Sequence, residues 1–279
     1  VTLSHILQAA EAIRAADALL ITAGAGIGVD SGLPDFRGNE GFWKAYPVIA
    51  RQGLSFATMA DPLWFENDPE LAWAFYGHRL NLYRKTMPHA GFATLLRWAQ
   101  KKPAGYFVFT SNVDGQFQKA GFSPEQIEEC HGSIHHFQCL RDCTCSIWDA
   151  IRENVDVDEI VFRALKPLPR CRHCGGLARP NILMFNDSSW NPNRSGEQQR
   201  CFAQWLQALL GKSARLAVIE LGAGTAIPTV RMTSERLAQL FNGTLIRINV
   251  REPSVPQGQF GLAMGALQGL QLLEKAIKI

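Results

Sequence analysis

The chain has 279 residues, 47% of them hydrophobic and 19% charged, enough to bury a large core without covalent staples. Its 28 basic and 25 acidic residues leave a net charge of +3 with no long basic block, which argues against nucleic acid as the main ligand. No run reaches the ~18 apolar residues that cross a bilayer, and no basic segment followed by an apolar stretch opens the chain. The expectation is a cytoplasmic protein with no membrane partner.

Taken in chain order, Leu3 to Ala15 has helical periodicity, with Thr2 or Ser4 as the candidate N-cap. Ala18 to Thr22 is a short apolar run that leads straight into Gly24-Ala25-Gly26. Strands covered on both faces read as continuous apolar runs, and Tyr106 to Thr110, Leu216 to Leu221 and Leu245 to Asn249 look alike. Helical patterns separate or follow them at Ala90 to Gln100, Glu197 to Leu210 and Arg231 to Phe241. Such alternation predicts an α/β chain with a doubly wound, Rossmann-like parallel sheet. Two stretches break the pattern. From Phe42 to Arg84 the chain reads as aromatic-rich loops and helices, and from Ile134 to Arg179 it is short of strands. Both are read as insertions that pack together into a smaller helical and zinc-binding domain of residues 42–84 and 134–179. The large domain then takes 1–41, 85–133 and 180–279.

Five of the seven cysteines fall between Cys139 and Cys174, and without an export signal such clustering reads as metal ligation before disulfides. Cys171-Arg172-His173-Cys174 is one half of a tetrahedral zinc site. The other half is irregular, because Cys139, Cys143 and Cys145 offer C-x₃-C or C-x₅-C spacing. The expected ligands are Cys139, Cys143, Cys171 and Cys174, with Cys145 as the substitute for Cys143. Four protein ligands leave no open position for water, so this zinc is structural.

Glycines after a buried strand let the backbone approach a pyrophosphate, and a following helix N-terminus offers free N–H donors. Gly24 and Gly26 suit this, although a full G-x-G-x-x-G would need glycine where Val29 stands. A second loop, Gly222-Ala223-Gly224-Thr225, follows the strand ending at Leu221. Two such loops at strand C-terminal ends place a ligand crevice there.

The run from Gly24 to Arg37, GAGIGVDSGLPDFR, closely resembles the NAD-binding signature of the sirtuins, the Sir2 family of NAD-dependent protein deacylases. Further matches follow in family order: Thr110-Ser111-Asn112-Val113-Asp114-Gly115, His131-Gly132-Ser133, Arg179 to Phe185, Gly222 to Thr225, and Asn249. The resemblance runs from about Ala18 to Glu252 and makes the large domain the NAD-binding one. It implies that Gly24, Ala25, Gly26, Ile27, Asp35, Phe36, Arg37, Ser111, Val113, Gly222, Gly224, Thr225 and Asn249 contact NAD. It also implies that Asn112 positions the ribose and Asp114 the nicotinamide, that Phe36 shields the reacting carbon, and that Leu183 and Phe185 line the peptide substrate. His131 becomes the general base on a ribose hydroxyl, a task suited to imidazole with its ordinary pKa of about 6.5. The implied products are nicotinamide, free lysine and O-acyl-ADP-ribose. His135 and His136 are read as structural.

The chain departs from the family pattern with Gly28 for a serine, Ser111 for a glutamine, Gln116-Phe117 for Leu-His, Asn186-Asp187 for Gly-Glu, and Gly224 for a serine. These make an active but divergent member, and they leave room for an NAD glycohydrolase or ADP-ribosyltransferase. Trp73, Tyr76, Leu80 and Tyr83 lie at helical spacing and read as a core-facing stripe. Yet Tyr76 and Arg79 also resemble the Tyr-x-x-Arg element of sirtuins that remove succinyl, malonyl or glutaryl groups, where a guanidinium grips a terminal carboxylate. A rival from another class is a non-catalytic zinc-ribbon binder of nucleic acid built on Arg163, Lys166, Arg170, Arg172 and Arg179. It accounts for neither glycine loop nor His131.

Overall fold

The computed structural model describes residues 2–34, 38–51 and 53–278. Helix α1 (Leu3–Ala15) starts where the Thr2 hydroxyl accepts from the His5 amide at 3.3 Å, and it leads into β1 (Ala18–Ala23). Next come α2 (Gly38–Ala45), α3 (Pro47–Arg51), α4 (Phe56–Met59), α5 (Trp64–Asn67) and the long α6 (Pro69–Lys85). Helix α6 has Pro at its first position and an Asp68 cap that accepts from the Leu71 amide at 3.1 Å. Then follow α7 (Ala90–Ala99), β2 (Tyr106–Thr110), α8 (Gln116–Lys119), β3 (Ile127–Glu129), β4 (Gly132–Cys139), β5 (Ile147–Asp149), β6 (Val157–Asp158), β7 (Arg163–Ala164) and β8 (Ala178–Ile182). The chain finishes with α9 (Asn193–Gly211), β9 (Leu216–Leu221), α10 (Thr229–Leu240), β10 (Thr244–Ile248), β11 (Phe260–Leu262) and α11 (Ala266–Ile277).

Six strands form one parallel sheet in the order β11-β10-β9-β1-β2-β3. The apolar runs are buried on both faces because alternate side chains go to opposite cores. Leu19 and Ile21 pack with Ile13, Phe92, Leu95 and Leu270 beneath α1, α7 and α11. Ala18 and Leu20 pack with Phe202, Leu209, Val230 and Leu237 beneath α9 and α10. The strand order reverses between β1 and β9, so the crevice of this doubly wound sheet lies beyond their C-terminal ends. Both glycine loops start there.

A third core draws on both aromatic and cysteine-bearing stretches, with Phe42, Phe65, Trp73, Phe75 and Leu80 packed against Phe137, Val155 and Phe162. Its antiparallel sheet, β5-β4-β8, is fastened to α6 by the Trp73 indole, which donates to the Ala178 carbonyl at 3.0 Å. The stretch from 134 to 179, expected to be short of strands, thus carries β4 to β8, all of them short except β4. Their residues mix polar and apolar types, and their pairing is antiparallel with a shift of register between Ser133 and Phe137, so no apolar run announces them. Edge strands β3 and β11 and helix α11 are also additions to the expected elements.

Candidate active site and thiolate cluster

The two glycine loops interlock. The Gly24 amide donates to the Leu221 carbonyl at 3.0 Å, Gly26 donates to Gly222 at 3.1 Å, and Gly222 donates to Ile248 at 3.0 Å. Gly222 has φ +60°, and a Cβ there would stand 2.4 Å from the Gly26 carbonyl carbon and the Ile27 nitrogen. At Gly24 a Cβ would stand 2.8 Å from Ala223 Cα. Both positions therefore demand glycine for close backbone approach, whatever binds above them. The expected helix after the first loop is instead a 3-10 turn, Ala25–Ser31, closed by Gly32 at φ +84°. Ile27 has 0% exposure and packs in the first core, and its carbonyl lies 3.0 Å from His89 Nε2. Gly28 is buried under Leu33, whose Cδ1 would be 3.0 Å from an added Cβ, which explains locally why a side chain is absent there. Asp35, Phe36 and Arg37, expected to contact the dinucleotide, lie outside the described residues.

In the second loop, Ala223 is buried, Gly224 is half-buried and Thr225 is exposed. Asn249 closes the loop from β10: its Nδ2 donates to the Ala223 carbonyl at 2.7 Å while its Oδ1 accepts from the Arg251 and Glu252 amides. The Glu252 carboxylate in turn accepts from the Thr225 amide at 3.1 Å and from the Thr225 hydroxyl. Glu252 thus braces the second glycine loop, a contact that the sequence reading did not include.

The loop after β2 lies against the first glycine turn. Ser111 donates its amide to the Ala23 carbonyl at 3.2 Å, and the Asn112 side chain donates to the Gly24 carbonyl at 3.2 Å. His131 sits at the junction of β3 and β4, half-buried, with its carbonyl accepting from the Leu183 amide at 3.0 Å. Burial pulls the His131 imidazole below its ordinary pKa, and a hydrogen bond with the Ser111 main chain partly opposes this. Thus His131, Ser111, Asn112 and Gly24 form one chain of contacts. Val113 is buried in the third core. Asp114 is buried as well, and its Oδ1 accepts from the Gln116 amide at 2.9 Å. Loss of hydration pushes its carboxyl up to about 6, despite that hydrogen bond.

Leu183 and Phe185 extend from the end of β8 beside His131 and remain 38% and 37% exposed. They leave an apolar ledge open to a ligand. Phe185 approaches Phe56, with ring centroids 6.3 Å apart. On α6, Tyr76 and Arg79 are almost wholly buried. The Arg79 guanidinium lies 5.2 to 5.9 Å from the ring centres of Phe56, Phe75, Tyr76 and Tyr83, and its Nε donates to the Tyr83 hydroxyl at 3.1 Å. Tyr76 stacks on Phe65 at 5.6 Å, its hydroxyl has no partner among the described residues, and burial pushes its phenol up to about 12.

Cys139, Cys143, Cys171 and Cys174 gather so that all four Sγ atoms lie within 4.8 Å of one another. A tetrahedral zinc with Zn–S bonds of about 2.3 Å sets sulfurs about 3.8 Å apart. The Cys139–Cys174 and Cys143–Cys171 separations are 3.7 and 3.6 Å. The donor set fits zinc. Cys145, the alternative ligand, turns aside at φ +51°, with its thiol 3.5 Å from Asp142.

A parallel sheet whose switch point carries two interlocked glycine turns, together with a four-cysteine cluster elsewhere in the fold, marks a dinucleotide-binding α/β protein with a structural metal site. The Sir2 family model matches residues 24–203. The chain belongs to the Sir2 family. Among its curated relatives, an NAD-dependent protein deacylase of Thermococcus kodakarensis is 33% identical over 182 residues, covering 64% of each chain. A Pyrococcus abyssi protein of the same description is 27% identical across 90% of this chain and 88% of its own. A probable bifunctional ADP-ribose hydrolase/ADP-ribosyltransferase of Fusarium oxysporum is 29% identical across 90% of this chain, which spans only 43% of that relative. The crystal structure of a Sir2 homologue–NAD complex superposes with TM-score 0.71 at 23% identity, covering 97% of this chain and 93% of that one.

Proposed function

We propose that the chain is an NAD-dependent protein-lysine deacylase that releases nicotinamide, the free lysine and O-acyl-ADP-ribose, with a preference for acidic acyl groups such as succinyl or malonyl. The observation that carries this reading is the loop after β2, whose Asn112 side chain donates to the Gly24 carbonyl and whose Ser111 main chain lies next to the His131 imidazole. It joins a base, a ribose-orienting amide and a glycine turn at one crevice.

The dinucleotide supplies an electrophilic anomeric carbon and a nicotinamide leaving group, and the chain's residues do the positioning. Asp114 holds the carboxamide, Asn112 fixes the ribose, and Leu183 and Phe185 lay the acyl-lysine peptide alongside. His131, kept neutral near pH 7 by burial, takes the proton of a ribose hydroxyl. An amide carbonyl oxygen is a weak nucleophile, so orientation and exclusion of water supply much of the rate. Zinc on Cys139, Cys143, Cys171 and Cys174 holds the second lobe in shape and has no part in the chemistry. The division into large and small domains follows the two insertions at 42–84 and 134–179.

The preference for acidic acyl groups rests on Tyr76 and Arg79, three apart on α6, where a guanidinium set among aromatic rings can grip a terminal carboxylate and a phenol can add a donor. The test is turnover of acetyl-, succinyl- and malonyl-lysine peptides with NAD. Wild type favours the acidic acyl groups, and Arg79→Met removes that preference. Equal or better acetyl turnover in wild type refutes the role of Arg79. His131→Ala keeps its fold and its zinc and loses turnover. The second reading, hydrolysis of NAD or ADP-ribosyl transfer, is favoured by the missing side chains at Gly28 and Gly224 and by the Fusarium relative. ADP-ribose formed without any peptide identifies it.

A further inference from the structure

His135, on β4, lies outside the chemistry assigned above, yet it touches the turn that presents Asp114. Its Nε2 is 2.9 Å from the Asp114 carbonyl oxygen. The same ring occupies the space over Gly115, where an added Cβ would stand 2.7 Å from His135 Cδ2 and 2.9 Å from Nε2. Gly115 adopts φ +69°, a conformation that glycine takes readily, so the turn after Asp114 is shaped to receive a flat ring. The backbone that carries the ring is fixed: the His135 amide donates to Ser133 Oγ at 3.3 Å, and its carbonyl accepts from the Ala150 amide at 2.8 Å.

We propose that His135 is a positioning residue for the nicotinamide end of the site, its Nε2–H holding the Asp114 carbonyl and its ring backing Gly115, so that the Asp114 carboxyl is presented to the carboxamide. This rests on the deacylase reading, because it needs Asp114 to meet nicotinamide. Three requirements converge on imidazole: a planar body to lie against a glycine, a donor at its far edge, and enough apolar character to be buried. Phenylalanine meets the first and third only. Glutamine meets the second. The glycine loops are held by Leu221, Ile248 and Asn249, so the ADP-ribose end of the crevice is independent of His135.

The test measures two affinities on the zinc-loaded full chain: the inhibition constant of nicotinamide against peptide turnover, and the Kd of ADP-ribose. In His135→Phe the ring remains and one hydrogen bond is lost, so nicotinamide inhibition weakens about five- to tenfold, with ADP-ribose Kd unchanged within twofold. His135→Gln restores part of that loss by supplying a donor. Parallel loss of both affinities in His135→Phe means general damage and overturns the proposal, as does no change in either. If wild-type chain binds no ADP-ribose, the cofactor reading itself is wrong and this inference falls with it. If ADP-ribose binds and only the selective effect is absent, the inference alone is wrong.

Discussion

Replacing Asp114 by asparagine should stabilise the protein, and by an amount that depends on pH. The carboxyl is buried, and its folded-state pKa is pushed up to about 6 from an ordinary 3.8, chiefly by loss of hydration. A carboxyl raised in the folded state favours folding fully only below its unfolded pKa. Between pH 4 and 6 the folded chain keeps a proton that the unfolded chain has lost, so stability declines as pH rises through that window. At about 1.4 kcal/mol per unit, the accumulated cost above pH 6 is about 3 kcal/mol. The asparagine side chain is isosteric, neutral and still able to accept from the Gln116 amide. Thermal melts of both proteins from pH 4 to 8, without ligand, measure the effect. The expected gain at pH 8 is about 5 °C for a chain of this length, shrinking toward zero at pH 4. A gain equal at both ends, or a loss at pH 8, refutes the burial argument. The same substitution should weaken NAD turnover, since a costly buried acid at a crevice marks a functional site.

The remaining predictions are narrower. Cys143→Ser should lose bound zinc, measured by metal content after gel filtration, while Cys145→Ser keeps it; the reverse result would reassign the ligand. Gly222→Ala should destabilise by about 2 kcal/mol or more, because its φ is positive and its Cβ meets backbone at 2.4 Å. An unchanged melting temperature would mean the loops do not interlock as described. The pH profile of kcat/KM should keep its acid limb below about 6.5, because burial lowers the His131 pKa and the neutral imidazole is the active form. A limb at pH 7 or above removes His131 as the base.

The central strands were legible because Ala18 to Ala23 and Leu216 to Leu221 are apolar on both faces, and such runs announce a covered sheet. Strand β3 was not, since Ile-Glu-Glu looks like surface. In the fold, Glu129 is buried and pairs with Arg194 at 2.5 Å, and Glu128 is buried with its carboxyl pushed up to about 7. Arg247 and Glu220 illustrate the same limit inside the strands that were found. They face each other across β10 and β9 at 2.5 Å with no exposure, and Glu235 joins from α10. Only strand order turns two charged residues into a pair. Strand β11 was hidden for a different reason: Gly261 approaches the Pro253 carbonyl so closely that a Cβ would lie 2.2 Å away. It is chosen for a close contact that no periodicity records.

The departures from the Sir2 pattern act differently once the backbone is placed. Serine at 111 forfeits the reach of a glutamine side chain, but the main chain of that residue does the work that geometry makes visible. Its amide donates to Ala23 and its backbone lies next to the His131 imidazole, and neither depends on the side chain. Gly28 is accommodated beneath Leu33, and Gly224 sits in a loop held by Asn249, itself placed by the end of β10. The scaffold around His131, Asn112 and Gly24 is thus compatible with these three substitutions, and what they remove is side-chain atoms alone. The expected consequence is weaker dinucleotide affinity rather than loss of catalysis: steady-state kinetics should give a high KM for NAD with the pH dependence expected of His131 retained, and a low KM would refute it.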